Sequence, residues 1–338
     1  MPESHPASDR PIRWGILATG GIARKFAADL LLDGHLVAAV GSRSAESAAA
    51  FAREFGIARA HGSYADLVAD PDVDIVYVAS PHTFHEEHGA LALEAGKHVL
   101  IEKPITVNAA QARRLAALAA DRGLLLMEAM WTRYLPHVQR IREVIAAATI
   151  GTVTGFLANH SQNLTTDPAH RINALELGGG ALLDLGIYPI SFAAGLFGKP
   201  TTVQALGSLG ATGADTHVSV VLQYDGGAIA STYSTSRSRG PNTAAILGTD
   251  GRIEMSSVWY APSETRVFDG RNRLVETFDW AVAGRGMQFQ AREAEQLIRS
   301  GRIESGILTP AACIDIMETL DEVRRQIGAL LLDRAVDG

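Results

Sequence analysis

The chain has 338 residues, of which 47% are hydrophobic and 20% charged, and its formal net charge is −7. This composition is typical of a globular protein, and the length suggests two domains that each bury a hydrophobic core. A single cysteine, Cys313, excludes an internal disulfide and a cysteine-based zinc cluster, and we expect it in the core of the last helix.

Residues 1–10 are polar, and we expect them to form a flexible N-terminus. No secretory apolar segment follows them, and no run approaches the roughly 18 consecutive apolar residues that a membrane span requires. The chain also lacks a block of basic residues, which argues against a nucleic-acid surface. We therefore expect a cytoplasmic protein that has neither membrane nor nucleic acid as a partner.

Between Ile12 and Met127, short apolar runs alternate with amphipathic stretches, a pattern that predicts strands alternating with helices in a parallel sheet. The predicted strands are 12–18, 36–40, 74–80, 98–102 and 124–127. The predicted helices are 21–32, 45–55, 84–95 and 109–122. The sequence therefore predicts an α/β, doubly wound Rossmann domain over residues 11–130.

After about residue 149 the runs become longer, alternating and β-branched, with turn signals such as Asp250-Gly251 and Asp269-Gly270 between them. The predicted strands are 152–163, 202–209, 216–224, 228–235, 243–247 and 266–268, and the predicted helices are 185–197, 289–299 and 311–332. This pattern predicts a second, α+β domain over residues 131–338, with a large, open and mainly antiparallel sheet.

The first predicted strand leads through Ala18-Thr19-Gly20-Gly21-Ile22 into a helix. A tight glycine turn at this point lets backbone N–H groups approach a pyrophosphate, and the helix N-terminus adds partial positive charge. Ala18 occupies the position of the first glycine in the G-x-G-x-x-G/A pattern, so an ordinary strand-to-helix turn is the alternative. We expect a dinucleotide site.

The second strand is followed by Ser42 and Arg43, where NAD-binding domains have an Asp or Glu that accepts hydrogen bonds from the ribose hydroxyls. A hydroxyl and a guanidinium would instead donate hydrogen bonds to a 2′-phosphate. The sequence therefore predicts NADP as the cofactor, with NAD left open. The alternative is that Arg43 is a solvated residue at the start of the next helix.

Two neighbouring strands end in Ser80-Pro81-His82 and in Glu102-Lys103-Pro104, and both ends should face the ligand crevice. Burial lowers the pKa of a lysine toward neutrality, which an arginine cannot match, so Lys103 suits proton transfer or the tuning of a neighbouring acid. The other three lysines are expected on a helix or in turns, which would leave Lys103 alone at the crevice. A surface cap is the alternative.

Asp184 and Tyr188 are four residues apart, so a helix through both would put them on one face. A phenol is a plausible acid or base for an alcohol if the ammonium of Lys103 depresses its pKa. Pro189 belongs in the first turn of a helix, so the helix should start late or kink here. The alternative is a structural tyrosine.

Several phrases resemble the glucose–fructose oxidoreductase, inositol dehydrogenase and rhizopine-catabolism family of NAD(P)-dependent oxidoreductases. They are Trp14-Gly15-Ile16-Leu17, the residues Ala95-Gly96-Lys97-His98-Val99-Leu100-Ile101-Glu102-Lys103-Pro104, and Gly248-Thr249-Asp250-Gly251-Arg252-Ile253-Glu254. The stretches 127–133 and 179–188 are similar to the branch of dimeric dihydrodiol dehydrogenase and NADP-dependent D-xylose dehydrogenase. This resemblance extends over nearly the whole chain.

The resemblance implies that Lys103 and Tyr188 form a catalytic pair and that Asp184 holds substrate hydroxyls. The expected cofactor contacts are Ala18, Thr19, Gly20, Gly21, Ile22, Ser42, Arg43, Ser80, Pro81, His82, His85, Glu102, Lys103, Ala129 and Trp131. The expected substrate contacts are Lys103, Trp131, His160, Asp184 and Tyr188. For His85, structural and nicotinamide-side roles are both open. We expect Arg171 on a solvated face, and the alternative is that it reaches the substrate cleft.

The resemblance also implies a reversible, NADP-dependent hydride transfer at a carbinol carbon of an aldose or a cyclic trans-diol, without a metal. In this mechanism Tyr188 takes the hydroxyl proton, and the reverse assignment with Lys103 as proton carrier stays open. The second domain would bind the substrate and pair into a homodimer. The alternatives are an inositol or sugar-nucleotide dehydrogenase or ketoreductase, and a catalytically silent dinucleotide-sensing regulator.

Overall fold

The computed structural model describes residues 10–329, and it contains two β-sheets. The first has six parallel strands in the order β3-β2-β1-β4-β5-β6. These are β1 (Arg13–Leu17), β2 (Leu36–Gly41), β3 (Arg59–His61), β4 (Ile75–Val78), β5 (His98–Glu102) and β6 (Leu126–Ala129). The strand order reverses between β1 and β4, which is where ligands bind in open α/β sheets.

Five helices connect these strands: α1 (Gly21–Leu32), α2 (Ala45–Phe55), α3 (Tyr64–Ala69), α4 (His85–Glu94) and α5 (Ala109–Arg122). The predicted Rossmann architecture is confirmed. The short elements β3 and α3 were absent from the sequence prediction. The three residues of β3 are exposed or half-buried and include Arg59 and His61, so no apolar run marks the strand.

The second sheet has eight strands in the order β14-β13-β12-β11-β7-β10-β9-β8. They are β7 (Val153–Ser161), β8 (Thr202–Leu209), β9 (Asp215–Gln223), β10 (Ile229–Thr235), β11 (Ala244–Gly248), β12 (Gly251–Met255), β13 (Thr265–Asp269) and β14 (Leu274–Phe278). The predicted antiparallel character is confirmed for every registered pair except β7 and β10, which run parallel. The prediction missed β12 and β14.

The later helices are α6 (Pro136–Ala146), α7 (Ile187–Phe197), α8 (Gln288–Arg299) and α9 (Pro310–Ile327). Within the described residues, one segment, Leu175–Phe197, is apolar and long enough to cross a membrane, with a mean hydropathy of 1.5. Within this segment, an apolar stretch of 18 residues is 78% buried in the fold, as in the core helix of a globular protein. The predicted flexibility of residues 1–9 and the predicted helix end at 332 lie outside the described range.

The two sheets share one continuous hydrophobic core. Trp14 of β1 is fully buried and donates its indole N–H to Glu295 of α8 over 3.0 Å. The backbone N–H of Ala109, at the start of α5, donates to Asp321 of α9 over 2.9 Å. Because α8 and α9 pack onto the first sheet, the boundary at residues 130 and 131 stays a prediction.

Candidate active site

A cavity of about 1070 Å³ lies where the carboxyl ends of β1, β2, β4 and β5 face residues from the second sheet and from the chain around α7. The predicted site residues that line it are Ala18, Thr19, Gly20, Gly21, Ile22, Ser42, Arg43, Ser80, Pro81, His82, Glu102, Lys103, Trp131, His160, Asp184 and Tyr188. Two predicted residues, His85 and Ala129, do not line it.

One end of the cavity fits a dinucleotide phosphate. The helix α1 begins at Gly21, directly after β1, and its N-cap residue Gly20 has no side chain to bond the first helical N–H groups. Those donors are therefore available at the cavity, where they favour an anion. Ala18 replaces the expected glycine and adopts φ +84°, so the chain keeps the left-handed turn although a β-carbon disfavours it.

Beyond this turn, Ser42 and Arg43 at the end of β2 line the cavity together with Tyr64. Burial raises the pKa of the Tyr64 phenol, while a hydrogen bond and the charge of Arg43 oppose that shift. Lys25 of α1 also lines the cavity, so the prediction that Lys103 is the only lysine at the crevice is wrong. The error arises because Lys25 is one turn into α1, close to the phosphate-binding end.

At the other end of the cavity, Lys103 and Asp184 form an ion pair between the end of β5 and the chain before α7. The amino group of Lys103 donates to Oδ1 of Asp184 over 2.9 Å and to its backbone oxygen over 2.8 Å. Arg171 donates to Oδ2 of Asp184 over 3.2 Å. Both carboxylate oxygens of Asp184 therefore accept from cations. The Arg171 side chain is 53% exposed and lines the cavity, so of its two expected places the structure favours the cleft.

These contacts reverse the expected pKa change of Lys103. Burial alone would lower the pKa of this ammonium, but the neighbouring Asp184, Tyr188 and Glu102 raise it above its ordinary value. Burial likewise opposes ionisation of Asp184, but Lys103 and Arg171 hold the pKa of that carboxyl well below its usual range. At neutral pH the pair is therefore fully charged.

Tyr188 lies beside this pair, with its ring centroid 5.1 Å from the Lys103 nitrogen. Its hydroxyl oxygen accepts a hydrogen bond from the indole N–H of Trp131 over 3.1 Å. Burial raises the pKa of the phenol, and the charge of Lys103 and the Trp131 hydrogen bond do not outweigh it. The expected lowering by Lys103 is present but smaller than the effect of burial, so Tyr188 is protonated at neutral pH.

His160 lies in the wall of the cavity with both ring nitrogens engaged. Its Nδ1 contacts the backbone oxygen of Leu185 at 3.2 Å, and its Nε2 contacts the Gln162 amide nitrogen at 2.9 Å. A carbonyl only accepts, so we assign the proton to Nδ1. The ring stacks on Tyr260 at 3.8 Å, and burial lowers the pKa of His160 to about 3. His160 is therefore neutral and is not free for proton transfer.

His85 lies beneath the cavity and is fully buried. Its ring lies between the backbone oxygens of Pro104, 2.6 Å from Nδ1, and Ser80, 2.9 Å from Nε2, so it bridges the chain after β4 and the chain after β5, and the neutral ring donates to one of the two oxygens. Burial lowers the pKa of His85 to about 4. Of its two open roles, this geometry favours the structural one. Ala129 is also fully buried, at the end of β6.

The segment that carries Asp184 is held by a residue that the sequence did not single out. Asp215, at the start of β9, accepts the backbone N–H of Leu182 over 2.7 Å. Gly180 adopts φ +136°, and a β-carbon there would collide with the Asp215 carboxylate. Burial raises the pKa of Asp215 to about 6. The two partners are 33 residues apart, so no local spacing could have paired them.

Several further residues of the cavity wall come from loops or strand ends that carry no motif. They are Gln162, His170, Tyr260, Arg285 and Met287. Arg285 lies 5.7 Å from the centroid of the Trp131 ring, and its backbone N–H donates to Asp29 of α1. These contacts depend on loop conformation, which sequence periodicity does not encode. Among residues 10–329, no cluster of three or more His, Cys, Asp or Glu side chains could hold a metal ion.

Comparison with known proteins shows the family. Residues 12–130 match the oxidoreductase family model with an NAD-binding Rossmann fold, and residues 138–254 match the GFO/IDH/MocA C-terminal domain. Trans-1,2-dihydrobenzene-1,2-diol dehydrogenase of Mus musculus is 38% identical, covering 94% of this chain and 97% of its own length. The D-xylose 1-dehydrogenase (NADP(+)) of Hypocrea jecorina is 37% identical, covering 95% and 94%.

Among solved structures, a 3-ketoreductase from Actinomadura kijaniata, in complex with NADP and TDP-benzene, has a TM-score of 0.83 at 28% identity. The match covers 94% of this chain and 98% of that one. The chain therefore belongs to the GFO/IDH/MocA family of oxidoreductases and carries its NAD(P)-binding Rossmann domain.

Glu102, the residue before Lys103, should make dinucleotide binding depend on pH. It accepts hydrogen bonds from the Tyr77 hydroxyl and from the backbone N–H of Lys103, and burial raises its pKa to about 7. Above pH 7 its carboxylate adds negative charge to a cavity that receives the positively charged, oxidised nicotinamide. The Kd of NADP⁺ should therefore fall about tenfold between pH 6 and pH 8, or ~1.4 kcal/mol.

Fluorescence titration of wild type and Glu102→Gln against NADP⁺ and NADPH measures this effect. The 2′-phosphate titrates at about pH 6 in both dinucleotides, so the informative quantity is the ratio of their affinities. Binding of NADP⁺ relative to NADPH should strengthen with pH in the wild type and stay constant in the variant, because only the oxidised ring is charged. Glu87→Gln, an exposed carboxyl outside the cavity, is the control and should behave as wild type. An unchanged pH dependence in Glu102→Gln would assign the titration to another group.

Proposed function

We propose that this member of the GFO/IDH/MocA family is a cytoplasmic, NADP-dependent dehydrogenase. It oxidises, reversibly, a carbinol carbon of an aldose such as xylose or glucose, or of a cyclic trans-diol. The observation that carries the proposal is the cluster of Lys103, Asp184 and Tyr188 at the carboxyl edge of the dinucleotide-binding sheet. The substrate classes named for the mouse and Hypocrea jecorina relatives support it.

Oxidation of an alcohol removes a proton from the hydroxyl and a hydride from the carbon, and NADP supplies the hydride acceptor. In the reductive direction Tyr188, which is protonated at neutral pH, gives its proton to the oxygen of the substrate carbonyl, with its own oxygen oriented by the Trp131 N–H. In the oxidation Tyr188 takes the hydroxyl proton, which requires that the phenol has first ionised at alkaline pH. Lys103 uses two donors on Asp184, which leaves the third N–H of its ammonium for the developing alkoxide. Asp184 orients the neighbouring hydroxyl. Lys103 and Tyr188 titrate as a coupled pair.

Tyr188→Phe and Lys103→Met should each lower kcat by about 10²–10⁴, because each removes a group that moves or stabilises the proton. Absorbance of the reduced nicotinamide, followed with a panel of aldoses, inositols and cyclic diols, measures turnover. Tyr233→Phe on the outer face of the second sheet and Lys97→Met in a turn are the matched controls.

Both reactive-site variants should still bind NADP⁺, which separates loss of chemistry from loss of the fold. If both retained wild-type turnover, the mechanism would be wrong. If the wild type bound NADP⁺ but oxidised no member of the panel, a dinucleotide-sensing regulator would replace the enzyme proposal.

NADP is the preferred dinucleotide in this proposal because Ser42 and Arg43 line the cavity at the end of β2, with no carboxylate at either position. Arg43→Asp should raise the Kd of NADP⁺ at least tenfold and lower that of NAD⁺, since the new carboxylate repels a 2′-phosphate and accepts ribose hydroxyls. Isothermal titration with both dinucleotides measures the two affinities.

The control for that measurement is Arg53→Asp, which makes the same charge change on an exposed position of α2 outside the cavity. It should leave the ratio of the two affinities unchanged. Equal affinity of the wild type for NADP⁺ and NAD⁺ would remove the argument from Ser42 and Arg43.

A sugar-nucleotide substrate is the second candidate, because the Actinomadura kijaniata 3-ketoreductase was solved with TDP-benzene. Such a substrate needs arginines for its diphosphate. Three arginines line the cavity, but Arg43 lies at the dinucleotide end and Arg171 is paired with Asp184, which leaves Arg285. We therefore favour a free sugar or diol over the nucleotide, and a TDP-sugar included in the activity panel distinguishes them. An inositol is tested by the same panel.

We further propose a homodimer built on the outer face of the second sheet. This face exposes Leu157, Leu206, Val221, Ile229 and Tyr233, of which Leu206 is 82% exposed. Leu206 of β8 and Tyr233 of β10 both lie opposite Ser219 of β9, so these side chains share one side of the sheet. A face with this much exposed apolar area is typical of an interface.

Leu206→Asp combined with Tyr233→Asp should convert the dimer to a monomer, because two copies would bring like charges together on a desolvated face. Sedimentation velocity across a concentration series measures the mass. Leu32→Asp, an equally apolar and exposed position on α1, is the control and should leave the mass unchanged. A wild-type monomer at all concentrations would overturn the dimer proposal.

A further inference from the structure

The helix that carries Asp184 and Tyr188 does not have α-helical hydrogen bonding throughout. Residues Leu182–Gly186 form a π turn, in which the N–H of Ile187 donates to the oxygen of Leu182, five residues earlier, and also contacts the oxygen of Leu185. The α-helix α7 starts directly after this turn, and its third residue is Pro189. Single π turns inside helices often mark functional sites, because they redirect side chains and carbonyl groups.

Pro189 lacks the one N–H that could serve either of two carbonyl groups. In α pairing, the oxygen of Leu185 would accept from the backbone N–H of residue 189, and in π pairing the oxygen of Asp184 would accept from that same N–H. A proline has no N–H, so neither pairing can form. Buried carbonyl groups need other donors, or each costs free energy comparable to a lost hydrogen bond.

The two donors that replace it belong to the candidate active site. The Lys103 ammonium donates to the oxygen of Asp184 over 2.8 Å, and Nδ1 of His160 contacts the oxygen of Leu185 at 3.2 Å. Lys103 thus has two acceptors on Asp184, the backbone oxygen and the carboxylate. The His160 ring in turn lies edge-on to the Tyr188 ring, with centroids 5.0 Å apart.

We propose that Pro189 is a positioning residue for the proposed reaction. By withholding an N–H from the turn, it reserves the carbonyl oxygens of Asp184 and Leu185 for Lys103 and His160. Lys103 is then fixed by two oxygens of one residue, and His160 is fixed in the Nδ1–H tautomer that supports the Tyr188 ring. The expected change in kcat rests on the proposed function, whereas the expected change in the hydrogen bonds of Lys103 and His160 does not.

Pro189→Ala tests this role because it restores the N–H with little change in side-chain volume. The new donor should compete for the same carbonyl oxygens, so that His160 loses its fixed tautomer. We expect kcat to fall at least tenfold with little change in the Kd of NADP⁺. The loss of activity at alkaline pH, where Lys103 gives up its proton, should move to lower pH because its ammonium has lost an acceptor.

Two comparisons isolate the N–H from other effects of the substitution. Pro310→Ala makes the same change at the first position of α9, where a helical N–H has no acceptor in its own helix, and should leave tautomer and kcat unchanged. Replacing Pro189 with lactic acid by nonsense suppression supplies the alanine side chain on an ester that lacks the N–H. This variant should restore both the tautomer and kcat.

Long-range ¹⁵N–¹H spectra of ¹⁵N-histidine protein read the tautomer of His160, with His160→Gln assigning its signals. This readout needs no substrate, so it decides the positioning role even if no sugar or diol is oxidised and the proposed function fails. A folded Pro189→Ala protein with the wild-type tautomer and kcat would overturn the inference. If Pro189→Ala does not fold, a lactic acid variant that also misfolds would overturn it.

Discussion

The ion pair between Lys103 and Asp184 is the interaction on which the rest of the site depends. Its two buried charges come from different parts of the fold, the end of β5 and the π turn Leu182–Gly186. The attraction within a buried ion pair offsets the cost of removing both charges from water only when further hydrogen bonds satisfy the two groups. Here Arg171 and the backbone oxygen of Asp184 supply them. The surrounding structure therefore has to hold the end of β5 and the π turn at a fixed distance from each other. Asp215 holds the turn through Leu182, and His85 holds the chain after β5 through Pro104.

The sequence predicts some parts of this arrangement and not others. The apolar runs of β1, β2, β4 and β5 predict buried parallel strands, so the residues that follow them, Ser42, Ser80 and Lys103, could be placed at one edge. The spacing of Asp184 and Tyr188 predicts a shared face, and Pro189 predicts an irregularity. The π turn itself could not be predicted, because its form depends on which donors reach the carbonyl groups left free by Pro189. The pairing of Asp215 with Leu182 spans 33 residues, and only the folded sheet brings them together.

The pKa values of Lys103 and Tyr188 also could not be predicted from the sequence. A lysine after a buried strand and a tyrosine on a helix that faces it suggest an ammonium whose pKa is shifted toward neutrality and a phenol whose pKa is lowered by that charge. The structure reverses the direction for Lys103 because Asp184 lies within hydrogen-bond distance of its ammonium, and for Tyr188 because burial of the phenol outweighs the lowering by the Lys103 charge. Residue type fixes which groups can titrate, but distance and burial fix the sign of each shift. The charged pair is thus a fixed electrostatic support at neutral pH, and the phenol is the group whose proton remains to be moved.

The distribution of charge along the cavity bears on what each end can bind. The dinucleotide end offers the free N–H groups of α1 together with Lys25 and Arg43, a surplus of positive charge that suits phosphates. At the reacting end the cations Lys103 and Arg171 face Asp184 and Glu102, and the carboxyl of Glu102 has a pKa of about 7. Lys103 and Arg171 are already bonded to the carboxylate of Asp184, and Arg285 beside Trp131 is a further cation of the cavity wall. A neutral polyol can exchange hydrogen bonds with these groups without separating the ion pairs, whereas an anionic substrate would have to compete with Asp184 for Lys103 and Arg171.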